Sequence, residues 1–161
     1  MAAKIEKYCA NGVYDPPGYS QAIKVSGAQT ILFLAGQVSY EKDGTAKHRG
    51  DFTAQARNVL SCVKALGEAG GGTLDNVVKI TTFVTDVRYR PEFRAVRDEF
   101  FGQKGPASTM IEVSKLAHPD YLIEVEAVAV VKKSQWQDGF DRFTEKQVGF
   151  VPKSAVQGDR R

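Results

Sequence analysis

Two glutamates, Glu124 and Glu126, stand inside an apolar run near the end of the chain, IEVEAVAVV at residues 123–131. Side chains alternate between the two faces of a strand, so a strand over 121–131 places both carboxylates on one face and an apolar set on the other. An unpaired carboxylate in a dry environment carries a large desolvation cost. The face with the glutamates is therefore expected to meet water, a partner or a ligand.

Ser108 is the next candidate, in a strand predicted over 108–113 that also carries Met110 on the same face. A serine nucleophile needs an activating base. Both histidines, His48 and His118, lie in predicted loops, and nothing in the sequence pairs either of them with Ser108. A Ser–His nucleophile is therefore not predicted.

The two cysteines, Cys9 and Cys62, lie far apart, and no CxxC pattern or ligand cluster accompanies them. Neither a disulfide framework nor a zinc site is indicated. The triple glycine at 70–72 follows a predicted helix instead of preceding one, so it is a helix stop and not a phosphate-binding loop. We expect a protein with no metal and no cofactor.

The composition bounds the class of protein. With 161 residues, 42% of them hydrophobic and 25% charged, the chain fits one globular domain with a buried core. A net charge of +3, with several basic residues in the tail, is too weak to indicate nucleic acid. No apolar run reaches the roughly 18 residues that span a bilayer, and the start lacks the apolar stretch of a signal peptide. We expect a cytoplasmic protein without a membrane partner.

Local patterns predict the elements that must position these residues. Residues 1–18 end in Asp-Pro-Pro-Gly and are expected to be a loop or lead-in. Strands are predicted at 21–25 and 30–37 as an antiparallel hairpin, and another at 77–86. One helix should begin at Asp51 with a buried stripe, and a second at Pro91. The first helix's stripe comprises Phe52, Ala56, Val59, Val63 and Leu66.

The order ββαβαββ predicts an α+β fold with both helices on one face of a mostly antiparallel sheet, because each helix has a single apolar stripe to bury. The opposite sheet face is then uncovered. That face is expected to carry Leu122, Met110, Val128 and Val130, which is too apolar for water and favours a homo-oligomer. Residues 132–161 form a polar C-terminal extension with scattered aromatics.

Several blocks of the chain resemble the Rid family, also called YjgF, between about residues 17 and 131. The matching blocks are GYSQA at 18–22, AGQ at 35–37, AQARNVL at 54–60, VVKITTF at 77–83, GPA at 105–107 and IEVEA at 123–127. The resemblance implies a chorismate-mutase-like protomer over residues 1–131. It also implies a barrel-like homotrimer with sites between subunits, and cofactor-free hydrolysis of reactive enamines and imines.

The resemblance also assigns site residues. Glu124 matches the glutamate that positions or activates the hydrolytic water, and Tyr19 matches a tyrosine beside the ligand. Gly36 matches a pocket position where backbone lies close to the ligand. Met110 falls at the usual cysteine position and makes that wall larger and less polar. Arg94 falls where relatives have a pocket-facing asparagine, so it is either a relocated anion clamp or part of a solvated basic helix face with its neighbouring arginines.

Ser108 departs from the family pattern, because the imine deaminases carry an arginine at this position. A guanidinium fork binds a carboxylate bidentately and a hydroxyl cannot, so capture of a 2-imino acid through its carboxylate should be weakened. Glu126 and Glu112 are expected to be rim or interface charges that find partners across subunits.

Three functions remain open at this stage. The first is a cofactor-independent hydrolase in which Glu124 orients a water for attack on a C=N carbon, with a substrate such as an aminomuconate from aromatic degradation. The second is a non-catalytic trimer that binds a small molecule. The third, a nuclease or nucleic-acid binder, ranks last, because the core lacks a basic stripe with interleaved aromatics.

Overall fold

The computed structural model describes residues 4–8, 22–27 and 29–132. In chain order the strands and helices are β1 (Lys4–Tyr8), β2 (Ala22–Ser26), β3 (Gln29–Gln37), α1 (Phe52–Ala69), β4 (Val77–Val84), α2 (Arg90–Phe101), β5 (Ala107–Glu112) and β6 (Ile123–Lys132). Single turns of 3-10 helix precede β4, precede α2 and follow α2. The predicted α+β class is confirmed. The C-terminal extension from residue 133, Tyr19 and Cys9 lie outside the described residues.

The main sheet has four strands in the order β3-β6-β4-β5. β6 pairs antiparallel with β3 on one edge and with β4 on the other, and β4 pairs parallel with β5. β6 is therefore an inner strand, with the backbone of both its edges engaged in the sheet. This places the run that carries the two glutamates at the centre of the sheet.

The predicted hairpin between residues 21–25 and 30–37 is wrong, although both strands exist. β2 pairs antiparallel with β1 in a separate two-stranded sheet, and β3 pairs with β6. β1 occupies part of the segment that was expected to be a loop or lead-in. Its sequence, KIEKY, is short and mostly charged, so it gives little apolar signal. The β3 run is more apolar and packs where the Val- and Ala-rich β6 can cover it.

Helix α1 begins and ends where the sequence predicts. The Asp51 carboxylate accepts a hydrogen bond of 2.9 Å from the backbone N–H of Ala54. Gly70 ends the helix, with its N–H donating to the carbonyl of Leu66. The predicted stripe is buried except at Leu66, which is 40% exposed at the last turn. Its buried members are Phe52, Ala56, Val59 and Val63.

Helix α2 has Pro91 in its first turn, as predicted, and buries Phe93 and Val96. These side chains join the stripe of α1 and the inward face of β6 in one apolar core. The ring of Tyr89, just before α2, stacks on Phe52 with centroids 4.1 Å apart. Both helices thus cover the same face of the sheet. No helix in the described part of the chain is long and apolar enough to cross a membrane.

The sheet face away from the helices, here called the open face, carries exposed apolar side chains. Phe33 is 81% exposed, Ile31 50% and Ile111 43%. Met110 was predicted on this face and lies on the other, because its partner in the parallel β4–β5 register is the buried Thr82. The exposed apolar side chains of the open face therefore come from β3 and from Ile111, while Val128 and Val130 of β6 lie on the same face, as predicted, opposite Phe33 and Ile31.

Replacement of Asp51 by alanine tests the start of α1. The change removes the side-chain acceptor for the Ala54 N–H, so the free energy of unfolding in urea should fall by about 1 kcal/mol. Asp51→Asn is the matched control, since asparagine caps equally well and should stay close to wild type. Equal losses in both variants would mean that the cap contributes nothing at this position.

Candidate functional site

The site is built on an irregularity where β3 meets β6. Leu34 pairs with Ala127 and Gln37 pairs with Val125, so two residues of β3 occupy the interval that Glu126 alone fills on β6. This is a β-bulge, which bends its strand and leaves backbone groups outside the regular ladder. The two extra positions are Ala35 and Gly36. The bulge therefore brings irregular backbone to the open face beside the glutamates.

Gly36 lies directly against the side chain of Glu124. A methyl group built at Gly36 would stand 1.9 Å from Glu124 Oε1 and 2.8 Å from its carboxyl carbon. No side chain other than hydrogen fits there while the carboxylate keeps its place. The requirement for glycine here is close approach and not a special backbone angle, since Gly36 is not among the residues with positive φ. The structure thus brings together Gly36 and Glu124, two of the residues that the resemblance assigns to the site.

The Glu124 carboxylate is half-buried. Among residues 4–8, 22–27 and 29–132, no hydrogen bond or ion pair joins it to another side chain. Its neighbour across the ladder is Phe83, which is also half-buried. A partly dry carboxylate with free acceptor positions can hold a water molecule or the N–H of a ligand. The site can therefore bind a hydrogen-bond donor at the Glu124 carboxylate.

A buried glutamine fixes the start of β6. Gln55 on α1 is fully buried, and its Oε1 accepts a hydrogen bond of 2.9 Å from the N–H of Leu122. Its Nε2 donates to the carbonyls of Asp120 at 2.8 Å and His48 at 3.2 Å. The Gln55 side chain therefore joins the loops at His48 and Asp120 to Leu122, the residue just before β6 and two residues before Glu124. Gln55 lies on the apolar stripe of α1, three residues after Phe52. An amide on an apolar stripe is the sequence signal that could have predicted a buried, hydrogen-bonded side chain here.

Glu126 lines a cleft of about 420 Å³ on the open face. Lys79 and Thr81 of β4 form its polar floor, while Phe33 and Val128 supply apolar walls. The ammonium of Lys79 donates to the hydroxyl of Thr109. Burial lowers the pKa of Lys79, and the nearby Glu126 carboxylate works against that shift. Glu126 is exposed, and the prediction that it meets a partner across subunits stays a prediction.

Ser108 and Met110 are not beside Glu124 within one protomer. Ser108 pairs with Ile80 in the parallel register, and Ile80 is fully buried on the helix side of the sheet. Partners in a register point to the same face, so Ser108 and Met110 lie on the helix side and Glu124 lies on the open face. Met110 packs against the core cluster. The predicted site residues therefore fall into two groups on opposite faces of the sheet.

Arg94 is exposed on α2, with its Nε 3.9 Å from a carboxylate oxygen of Asp98 one turn later. Arg88 pairs with Asp86 before the helix, and Arg90 is also exposed. Arg97 differs, because it is only 7% exposed and contacts Asp98 at 3.0 Å. A fully solvated basic face is thus wrong at Arg97. Arg94 lies on the same side of the sheet as Ser108.

The remaining candidates have local roles. Glu112 accepts a 2.7 Å hydrogen bond from the N–H of Val87 within the protomer, and the prediction that it meets a partner across subunits stays a prediction. His118 Nδ1 accepts from the N–H of Asp120 at 3.1 Å, as a turn residue does. Cys62 is partly buried, which raises the pKa of its thiol and makes it a poor nucleophile. Within the described residues, no three His, Cys, Asp or Glu side chains converge as a metal site.

This arrangement defines a chorismate-mutase-like α+β protomer, with helices on one face of the sheet and a glutamate held at a bulge on the other. The Endoribonuclease L-PSP family model matches residues 14–131. The chain therefore belongs to that family, which is the Rid, or YjgF, family.

Individual relatives cover most of the same region. A RutC family protein of Pyrococcus horikoshii is 40% identical over 111 residues, which is 69% of this chain and 85% of the relative. The crystal structure of a Rid-family protein from Yersinia pestis, YyfB, is similar with a TM-score of 0.71 and 28% identity, over 79% of this chain and 98% of that one. RidA from an Antarctic Psychrobacter is similar with a TM-score of 0.59 and 27% identity, over 78% and 94%.

Gly36→Ala tests the close approach at the bulge. The added methyl should displace the Glu124 carboxylate, which is the flexible end of a long side chain, so the free energy of unfolding should change by less than about 1 kcal/mol. The 13C resonance of the Glu124 carboxyl carbon should move. Gly67→Ala on α1 is the control, because a methyl there meets nothing within 4 Å. An unmoved Glu124 signal in Gly36→Ala would contradict the geometry.

Proposed function

We propose that this protein is a cofactor-independent hydrolase of C=N bonds in small, reactive enamines or imines. The observation that carries the proposal is the half-buried Glu124 carboxylate, which stands free of ion pairs in the described chain and is set against the Gly36 backbone at a bulge. Such a carboxylate can orient a water molecule and accept its proton. The Rid-family resemblance of the sequence blocks, which implies hydrolysis of reactive enamines and imines, points to the same reaction class.

The reaction needs one positioned base and a shaped pocket. In the proposed step Glu124 takes a proton from the bound water as the water oxygen attacks the imine carbon. That proton passes to nitrogen. The C–N bond of the tetrahedral adduct then breaks as the remaining hydroxyl proton moves to the leaving nitrogen, which gives a carbonyl compound and ammonia or an amine. The net reaction consumes one water and no oxidant or reductant. General base catalysis and proximity together supply a rate gain of several powers of ten for such a labile substrate.

Ser108 shapes the substrate proposal. Its hydroxyl cannot form the bidentate pair that a guanidinium forms with a carboxylate. We therefore propose a substrate that lacks a carboxylate next to the C=N carbon, carries it elsewhere, or is an aromatic-ring cleavage product such as an aminomuconate. Met110 would make the neighbouring wall apolar and adaptable. Tyr19 is proposed as the aromatic wall beside the ligand, from the family pattern.

The proposed site lies between copies of the chain in a homotrimer. Glu124 and Gly36 occupy one face of a protomer, while Ser108, Met110 and Arg94 belong to its helix side. A second copy is the simplest way to bring the two groups to one ligand. The exposed Ile31 and Phe33 are neighbours on the open face and favour self-association, because adjoining apolar surface is costly in water, and Ile111 adds an exposed apolar side chain at the other edge of the sheet.

A binding protein without turnover is the second candidate. It is favoured by one observation, namely that no hydrogen-bonded acid or base stands beside Glu124 in the described part of the chain. A ligand could then be held beside Glu124 without reaction. The two functions differ in whether replacement of Glu124 abolishes turnover or only weakens binding.

Glu124→Gln is the decisive variant for the hydrolase. Hydrolysis of a 2-imino acid generated by an amino-acid oxidase should fall by about 10²–10⁴-fold, because glutamine cannot take the proton. The melting temperature should not fall. Ser108→Arg should raise activity on the 2-imino acid by restoring the guanidinium. Wild-type turnover that survives in Glu124→Gln would overturn the proposal, and an inactive wild type rescued by Ser108→Arg would show a scaffold retuned to another ligand.

Arg94→Ala tests whether this side chain contributes charge to the substrate pocket. If Arg94 is an anion clamp, KM should rise for a carboxylate-bearing substrate and stay unchanged for a neutral one, with kcat preserved. Arg90→Ala is the matched control, since Arg90 is an exposed arginine on the same helix. Equal KM values in the two variants would assign Arg94 to the solvated surface.

A further inference from the structure

The carbonyl groups inside the bulge have lost their regular places in the ladder, and a side chain from the same strand satisfies them. Gln37 Nε2 donates to the carbonyl of Ala35 at 2.9 Å and makes a longer contact of 3.4 Å to the carbonyl of Gly36. Gln37 is only 7% exposed. Ala35 and Gly36 are exposed residues, so this amide does not rescue buried carbonyls; it adds a local bond from side chain to backbone that favours the bulged conformation.

A second residue fixes the orientation of that amide. The Tyr40 hydroxyl donates to Gln37 Oε1 at 2.9 Å. Because Oε1 can only accept and Nε2 can only donate, this bond directs Nε2 toward the bulge. Burial raises the pKa of Tyr40, so its hydroxyl remains a donor at neutral pH. Tyr40 is itself held by a bridge to Ala46 across the following turn.

We propose that Tyr40 and Gln37 are positioning residues for Glu124: together they lock the bulge that presses the Gly36 backbone against the Glu124 carboxylate. The inference rests on the proposed function, because it assigns these residues a role in the reaction of Glu124. Neither residue touches the reacting atoms. Gln37 pairs with the buried Val125, so its side chain lies on the core side of the sheet, while Glu124 lies on the open face.

The influence therefore passes through the backbone of one strand. Gly36 has no side chain to hold its own conformation, and its contact with Glu124 is tight enough that a methyl would overlap a carboxylate oxygen. A shift of the bulge would change the space open to that oxygen. Misplacement of a reacting group by about 1 Å can cost a hundredfold in rate. Loss of the Tyr40 hydroxyl should thus affect turnover more than stability.

Tyr40→Phe removes one hydroxyl and keeps the ring, so it is the test variant. In the full chain, with the 2-imino acid of leucine as the probe, we expect kcat to fall between about ten- and a hundredfold with KM unchanged. Tyr89→Phe is the matched control, because the Tyr89 ring stacks on Phe52 and gives its hydroxyl no part in this network. It should match wild type in both constants.

A double-mutant cycle separates positioning from general structural damage. If Tyr40 acts through Glu124, Tyr40→Phe should cause no further loss in a Glu124→Gln background. Additive losses would overturn the inference while leaving the hydrolase intact. Turnover unaffected by Glu124→Gln would instead remove the proposed function.

NMR tests the geometry without any turnover. The amide resonance of Gly36 and the carboxyl 13C resonance of Glu124 should both move in Tyr40→Phe and stay in place in Tyr89→Phe. Unchanged resonances in Tyr40→Phe would refute the positioning role, whatever the activity of the wild type. This result decides the inference even if the imine probe is not hydrolysed.

Discussion

The pairing of β6 on both edges is the constraint on which the rest of the structure depends. β6 exchanges backbone hydrogen bonds with β3 and β4, and its alternate residues fill the core beneath both helices. A slip of one residue would turn Glu124 and Glu126 into that core and bring Ile123 and Val125 to the open face. Burying two unpaired carboxylates would cost far more than the fold can lose. The core packing therefore fixes where the site carboxylate stands.

The bulge in β3 adds the second half of this arrangement. A regular strand opposite β6 would present its side chains evenly to the open face. In the bulge, Gly36 presents backbone without a side chain to the space that the Glu124 carboxylate occupies. Gln37, whose side chain lies on the core side, donates to the carbonyls of Ala35 and Gly36 in this irregularity. The site and the core thus meet at two neighbouring residues. Gly36 lies against the Glu124 carboxylate, and the Gln37 side chain lies on the core side of the sheet.

Sequence reasoning was strongest where one strong local signal sufficed. Helix α1, with its Asp51 cap and apolar stripe, and the alternation along β6 both followed from residue types alone. The prediction that β2 pairs with β3 was wrong because long-range packing decides which strands pair. The short, charged β1 gave little signal in the sequence. The prediction of the sheet face on which Met110 lies was wrong for a related reason. Alternation within β5 is visible in the sequence, but its phase relative to β6 depends on how each pairs with β4.

The opposite placement of the two groups of site residues bears on how Ser108 can differ from the family arginine. Glu124 is set by the register of β6 and the bulge at Gly36, whereas Ser108 lies at the outer strand β5, on the other face. No hydrogen bond or ion pair joins the two side chains in the described chain, so we expect a change at Ser108 to leave Glu124 in place. In the proposed assembly, the group that holds the ligand and the group that holds the water come from different copies. The residues that hold the ligand, Ser108 among them, can then change in charge and shape without disturbing Glu124. This is the physical reason to expect a different substrate and the same reaction.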